Sequence, residues 1–408
     1  MRRAPGLLLA LLCLIPTGRA AAMDRVDFSL PSDDGRTHIT GEIDLPDAAK
    51  TCQDCRYPLV VMVPGSGLFD RDGLFGTTGT DRDFMFRDLA QSLAAAGIAS
   101  LRYDYRGISC NQRTAPPCPD CTADQRVKSY VTHCLDNAVR STVTMANIDD
   151  DIALVYHYGA SQPQIDPSRV VLLAHSEGTL HAARLVGAGR LSPKGLLLIG
   201  MLAESPEGII KWQMVDRQLR ILDWSTSHNG VLTNDDIKAG FVKDPYFADL
   251  GYKVDNLLSP TGSWTRESLL AALTKQYEGV VQDALAHADD APYATAVPGQ
   301  TGLEVVLASY AWWKDWFTDQ TPAVDLLRNY PGEIVAHNGD NDSQTPGVRE
   351  FSVLDQAAPD FVEPPRAVLH PGVGHGLSHA SPLLGPIDPA IKQQIIGDLE
   401  ALTAAPKP

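Results

Sequence analysis

The most constraining feature of this 408-residue chain is a set of short apolar runs, Pro58–Val63, Ile98–Tyr103, Val170–Leu173 and Gly195–Ile199, with little inside–outside alternation. Pro58–Val63, Val170–Leu173 and Gly195–Ile199 are rich in β-branched residues or leucine, and Ile98–Tyr103 lies between Gly97 and Asp104; such runs read as strands buried on both faces. Between them, Phe84–Ala96, Asp149–Tyr158 and Thr179–Val186 carry apolar residues at helical spacing. Strands that need cover on both faces, joined by helices that can provide it, predict an α/β fold with a mostly parallel central sheet covered by helices. Two alternating runs, Val26–Leu30 and His38–Leu45, precede this pattern. Glu333–His337 and Ala367–His370 read as two last strands and Ile391–Leu402 as a closing helix.

From about Leu202 to Tyr330 the pattern changes to long helical stretches such as Glu267–Ala286, with no strong strand. All six tryptophans lie here: Trp212, Trp224, Trp264, Trp312, Trp313 and Trp316. An insertion between two sheet strands is expected at the carboxyl ends of the strands, where loops carry function, so 202–330 is expected to be a helical cap. Trp312, Trp313 and Trp316 are expected mainly to pack that cap onto the core. The core then comprises 23–201 and 331–408.

The first 22 residues read as a signal peptide. Met1-Arg2-Arg3 is a basic start, Gly6–Ile15 a short apolar stretch, and Ala20-Ala21-Ala22 a small-residue cleavage site. The apolar stretch is about ten residues long, short of the roughly 20 that a bilayer span needs. The expected destination is the periplasm or the exterior, with no stable membrane insertion after cleavage. Six cysteines follow the leader: Cys52, Cys55, Cys110, Cys118, Cys121 and Cys134. Their two C-x-x-C pairs would suit a zinc knuckle in a reducing compartment, but in an exported chain they favour disulfides. The spacing does not assign the pairs. Residues 109–134, with Pro116, Pro117 and Pro119, read as a Cys-rich loop within the core. The formal net charge of −16 lacks the basic footprint that nucleic-acid binding requires.

Three strand ends carry the chemistry. Val170–Leu173 runs into Ala174-His175-Ser176-Glu177-Gly178 and then a helix, the context of a nucleophile elbow, with Ala174 where a glycine is usual. A serine hydroxyl needs a histidine to take its proton and a carboxylate to orient that histidine. His375, in the glycine-rich stretch Pro371–Gly376 after the last strand and free to swing over the serine, is the candidate base. His370 and His379 compete with it, and His175 is expected to be a packing residue. Asp342, in the polar turn after Glu333–His337, is the candidate acid, with Asp340 as the alternative. Either aspartate could instead simply make an Asx turn. Backbone amides of Glu177, at a helix start, and Ser66, in Pro64-Gly65-Ser66-Gly67, are candidate oxyanion donors.

These stretches, with Asp70–Gly73, Gly97–Gly107, Gly339–Asp342 and Gly372–His375, resemble the α/β-hydrolase superfamily and, within it, exported serine esterases and serine-peptidase-like hydrolases. The resemblance covers Val26–Leu202 and Tyr330–Leu402. It implies an α/β-hydrolase fold with Ser176 as nucleophile, Asp342 as acid and His375 as base, without cofactor or metal. The expected activity is hydrolysis of a small-molecule carboxylic ester through an acyl-serine intermediate, with serine exopeptidase or amidase action as the alternative. Where relatives continue after Arg-Gly with Gly and Ser, this chain has Ile108-Ser109-Cys110 and enters its Cys-rich loop. Asp70, Arg71 and Asp72 are expected to form a salt-bridged turn beside the oxyanion loop.

Overall fold

A computed structural model of the chain describes residues 24–46, 55–67, 70–78, 81–110, 123–227, 229–296, 304–383 and 385–405. The leader and Cys52, Cys118 and Cys121 lie outside the described residues. Eight strands form the central sheet: β1 (Asp24–Pro31), β2 (His38–Leu45), β3 (Tyr57–Val63), β4 (Ala99–Tyr103), β5 (Ile165–His175), β6 (Gly195–Ile199), β7 (Glu333–Gly339) and β8 (Arg366–His370). Their order is β1-β2-β4-β3-β5-β6-β7-β8. Only β2 runs opposite to its neighbours; every pairing from β4 to β8 is parallel.

The central strands are apolar throughout because each face of the sheet buries every second residue. Val60, Met62, Val171, Leu173, Leu197, Ile199 and Val335 pack with the helices α1 (Met85–Ala95) and, at the C-terminus, Pro389–Thr403. The alternate residues Leu59, Val61, Leu172, Leu196, Leu198 and Ala336 belong to the larger cluster on the other face. That cluster extends through Ile152, Val155, Leu180 and Leu185 into the tryptophans of the 200–332 segment.

The Cys-rich stretch continues into two helices, α2 (Ala123–Cys134) and α3 (Asn137–Arg140), and a disulfide joins Cys110 to Cys134. Cys55 is also disulfide-bonded. Next come α4 (Met145–Ala160), opened by a capping box of Thr144 and Asn147, and α5 (Glu177–Gly187). The segment between β6 and β7 is mainly helical, including α6 (Pro206–Met214), α7 (Arg266–Ala286) and α8 (Tyr310–Thr318). It departs from the sequence expectation in holding two small antiparallel pairings, 231–233 with 263–265 and 292–296 with 304–309. The first is only three residues long, too short for a period-two pattern to emerge.

Beside β2 and β4, Arg102 is fully buried and pairs with Glu42, with Asp44 at 2.7 Å and with Asp72 at 2.5 Å. Arg71 binds Asp104 at 2.5 Å. Asp70–Asp72 is thus a salt-bridged turn. Buried networks of this kind hold geometry more reliably than they add stability, because each charge must first be desolvated.

A second buried polar group makes a prediction about acid. His337 at the end of β7 contacts His370 Nε2 through Nδ1 and Asp398 through Nε2, each at 3.0 Å. Burial, with the His370 ring beside it, outweighs Asp398 and pushes His337 down to about 4. A histidine whose folded pKa lies below its unfolded value stabilises the fold fully above about pH 6.5 and loses that contribution as pH falls toward 4. The expected loss is about 3 kcal/mol across that window. Urea titrations of the native protein and of His337→Gln between pH 7 and 4 check it: the stability difference between the two proteins should shrink by that amount.

Candidate active site

Ser176 stands between the end of β5 and the first turn of α5, with φ 56° and ψ −126°. It is one of two non-glycine residues with positive φ among those described. An ordinary N-cap serine would turn its hydroxyl back onto the helix amides. Here the left-handed backbone leaves no side-chain cap bond, and the half-buried hydroxyl is free of structural duty. The Ser176 amide donates to Ile199 O of β6 at 2.9 Å, which pins the turn to the neighbouring strand.

Small residues around the turn are required by contact. A Cβ on Gly65 would lie 2.7 Å from the Ser176 Cβ, and one on Gly178 would lie 2.6 Å from Pro64 O and 2.7 Å from Val63 O. The loop after β3, which carries Ser66, therefore rests directly on the elbow. The Glu177 amide occupies the N-terminus of α5, where unpaired N–H groups favour negative charge.

Asp342 and His375 come from the loops after β7 and β8 and are joined by a 2.8 Å hydrogen bond from His375 Nδ1 to Asp342 Oδ2. Both are buried. Asp342 Oδ1 accepts the amides of Gln344 at 2.7 Å and Thr345 at 2.9 Å, so this carboxylate makes an Asx turn and orients the imidazole at once. With Nδ1 turned to Asp342, Nε2 is the ring nitrogen left outside that bond. Thr345 Oγ1 sits 3.1 Å from Asp342 Oδ2 and bonds Gly200 O at 3.0 Å, and Gly200 leaves room for the His375 ring.

His375 lies beside the elbow: its ring stands 4.7 Å from that of His175, and His175 Nε2 contacts His375 O at 3.3 Å. Ser176 Oγ and His375 share no direct hydrogen bond; the ring's recorded partners are Asp342 and Thr345. The expectation of a swinging His375 loop is corrected by the structure. His375 N donates to Pro382 O, Gly376 N to Leu383 O and Gly374 N to Ser378 O, and Gly374 touches the 381–382 backbone. This lacing holds the ring in place. The competing residues have other partners: His370 meets His337, His379 binds Asp388, and Asp340 accepts the Gly372 amide at 2.6 Å.

A buried polar chain under the elbow was not legible in the sequence. The Glu177 side chain accepts Trp312 Nε1 at 2.6 Å and faces His181 Nε2 at 3.5 Å, while His181 Nδ1 binds Asp149 at 2.7 Å. Burial opposes charge on His181, but Asp149 and Glu177 overcome it and raise the imidazole to about 9. Trp312 thereby ties the 200–332 segment to the residue that follows Ser176.

The mostly parallel eight-stranded sheet, the strained serine after β5, and an aspartate and a histidine on the loops after β7 and β8 together decide the architecture. The chain has the α/β-hydrolase fold. No family model and no curated protein matches the sequence. Solved structures that superpose on it include Est1E from Butyrivibrio proteoclasticus, at 12% identity over 92% of this chain and 96% of that one, with a TM-score of 0.46. The α/β hydrolase GrgF from Penicillium sp. sh18 aligns at 13% identity over 94% and 100%, with a TM-score of 0.47. A lipase in its open form aligns at 15% identity over 94% and 100%, with a TM-score of 0.48. Superpositions this distant leave the α/β-hydrolase assignment to the chain's own topology. Among the described residues no helix is long and apolar enough to cross a membrane, and no cluster of His, Cys, Asp and Glu is arranged to hold a metal.

Proposed function

We propose that this α/β-hydrolase-fold protein is an exported serine hydrolase that cleaves small-molecule carboxylic esters. The observation that carries the reading is the strained, uncapped Ser176 lying beside a His375 that Asp342 already orients. In the proposed reaction Ser176 Oγ attacks the ester carbonyl as His375 Nε2 takes the hydroxyl proton. The tetrahedral oxyanion is met by the amides of Glu177 and Ser66. Collapse expels the alcohol, which receives the proton from His375, and leaves an acyl-serine. Water then attacks the acyl group, giving its proton to the same nitrogen, and the acid departs as Ser176 recovers its hydrogen. Every step is a proton transfer or acyl transfer among Ser176, His375, the ester and water. The Cys110–Cys134 disulfide supports an oxidising compartment, and with the leader supports export to the periplasm or the medium.

Treatment with a fluorophosphonate followed by peptide mass spectrometry tests the mechanism. A single adduct on the peptide carrying Ser176 is expected. An unlabelled Ser176, or an adduct elsewhere with Ser176 untouched, overturns it. A parallel panel of p-nitrophenyl esters and aminoacyl anilides tests the substrate class, with turnover expected on the esters.

A further inference from the structure

Arg140 is the last residue of α3, and its guanidinium is buried with no carboxylate paired to it among the described residues. Nη1 donates to Arg106 O at 3.0 Å, in the turn after β4. Nη2 reaches Gly67 O at 3.4 Å, in the loop that carries Ser66, and also bonds Leu307 O on the 304–309 strand. Burial pushes this guanidinium down to about 10, against the opposing influence of Tyr105, Tyr130 and Glu177. A buried cation bonded only to carbonyls through Nη1 and Nη2, with Nε lacking a hydrogen-bond partner, costs desolvation energy that an apolar residue of the same volume would avoid. What it supplies instead is a rigid fork of donors joining three segments remote in sequence.

The side chain is held in position from behind. Its Cγ and Cδ lie where a Cβ on Gly107 would meet them at 2.9 Å, and Gly107 has φ +77°. The strand of chain leading to α3 is fastened to the turn after β4 by the Cys110–Cys134 disulfide, an Ile108–Leu135 bridge, and the bonds Ser109 N to Cys134 O and Asp136 N to Gly107 O, both 2.8 Å. Asp136 then caps α3. Tyr105 Oη donates to Pro64 O at 2.7 Å and steadies the other end of the Ser66 loop.

We propose that Arg140 is a positioning residue for the oxyanion loop, tying Gly67 to Arg106 and Leu307, and that the Cys110–Cys134 disulfide is the tether that keeps it in register. The inference rests on the serine-hydrolase reading. The Gly67 carbonyl stands one residue past Ser66, so holding it anchors one end of the short loop while Tyr105 anchors the other at Pro64, and the two together restrain the backbone rotations that aim the Ser66 N–H. Misplacement of such a donor by about 1 Å costs on the order of 10²-fold in rate.

The test compares native protein, Arg140→Met, Arg140→Lys and a Cys110→Ala/Cys134→Ala double variant. For each, kcat per fluorophosphonate-titrated site and KM are measured on p-nitrophenyl acetate, together with amide hydrogen exchange over 64–67 and 305–309. Arg140→Met is expected to lower kcat per titrated site by about 10- to 100-fold with KM little changed. It should also speed exchange in both segments. Arg140→Lys, which keeps the charge but reaches fewer carbonyls, should recover part of kcat, and the double cysteine variant should lose kcat in the same direction by a smaller factor. A purely structural role would reduce the titratable fraction while leaving kcat per site intact, and that result, or unchanged exchange over 64–67, overturns the proposal. If Arg140→Met does not fold, Arg140→Lys carries the same comparison: native kcat per site and native exchange in it sink the idea. A native protein inert to both ester and fluorophosphonate would instead defeat the serine-hydrolase reading, while the exchange data would still decide whether Arg140 braces the loop.

Discussion

Replacing Ser176 by alanine is expected to lower ester turnover by roughly 10⁶-fold, the scale at which removing a triad nucleophile has been found to act. The same change should leave the fold intact, because the Ser176 hydroxyl makes no helix-capping bond and the bonds of the turn run through its backbone amide and carbonyl. Alanine at φ 56° carries the same backbone strain as serine, so the melting temperature should stay close to that of the native protein. Steady-state hydrolysis of p-nitrophenyl esters beside a thermal melt checks both halves. Native turnover in this variant would remove the nucleophile from the mechanism.

The second large effect is expected at Asp342, where asparagine should reduce kcat by about 10⁴-fold. The turn survives the change, since an amide oxygen can still accept the Gln344 and Thr345 N–H groups. The imidazole does not survive it in working form. An amide NH₂ facing His375 Nδ1 favours the tautomer protonated on Nε2, which has no lone pair to offer Ser176. Asp340→Asn is the matched control, because among the described residues the Asp340 side chain bonds the Gly372 amide, and an amide oxygen can replace it there. Turnover near native in Asp340→Asn and collapse in Asp342→Asn separates the two aspartates. The reverse pattern would reassign the acid.

The two aspartates also show how much of the site was legible in the sequence. The Ser–Asp–His order, the strand ends and the small residues about Ser176 all follow from local pattern, since a strand buried on both faces and a tight strand-to-helix turn each leave a short, contiguous signature. Which of Asp340 and Asp342 meets a histidine, and which of His370, His375 and His379 meets an aspartate, depends on two loops more than 30 residues apart in sequence. No spacing rule reaches across that gap. The reading of His375 as free to swing failed for a related reason: glycine content suggests freedom, whereas here Gly374 permits close packing of the loop against 381–382.

The sequence by itself determined the alternation of strands and helices, the helical character of the 202–330 segment, and the positions where a nucleophile, an acid and a base could stand. Those properties are set by the periodic burial of neighbouring residues and by backbone turns only a few residues long. The tertiary structure alone decided the Asp342–His375 bond, the tie from Trp312 to Glu177, the fastening of Cys110 to Cys134, and the reach of Arg140 to Gly67 and Leu307. Each joins groups remote in sequence that only the folded chain brings together, where a buried charge or donor takes whichever partner packing places within reach.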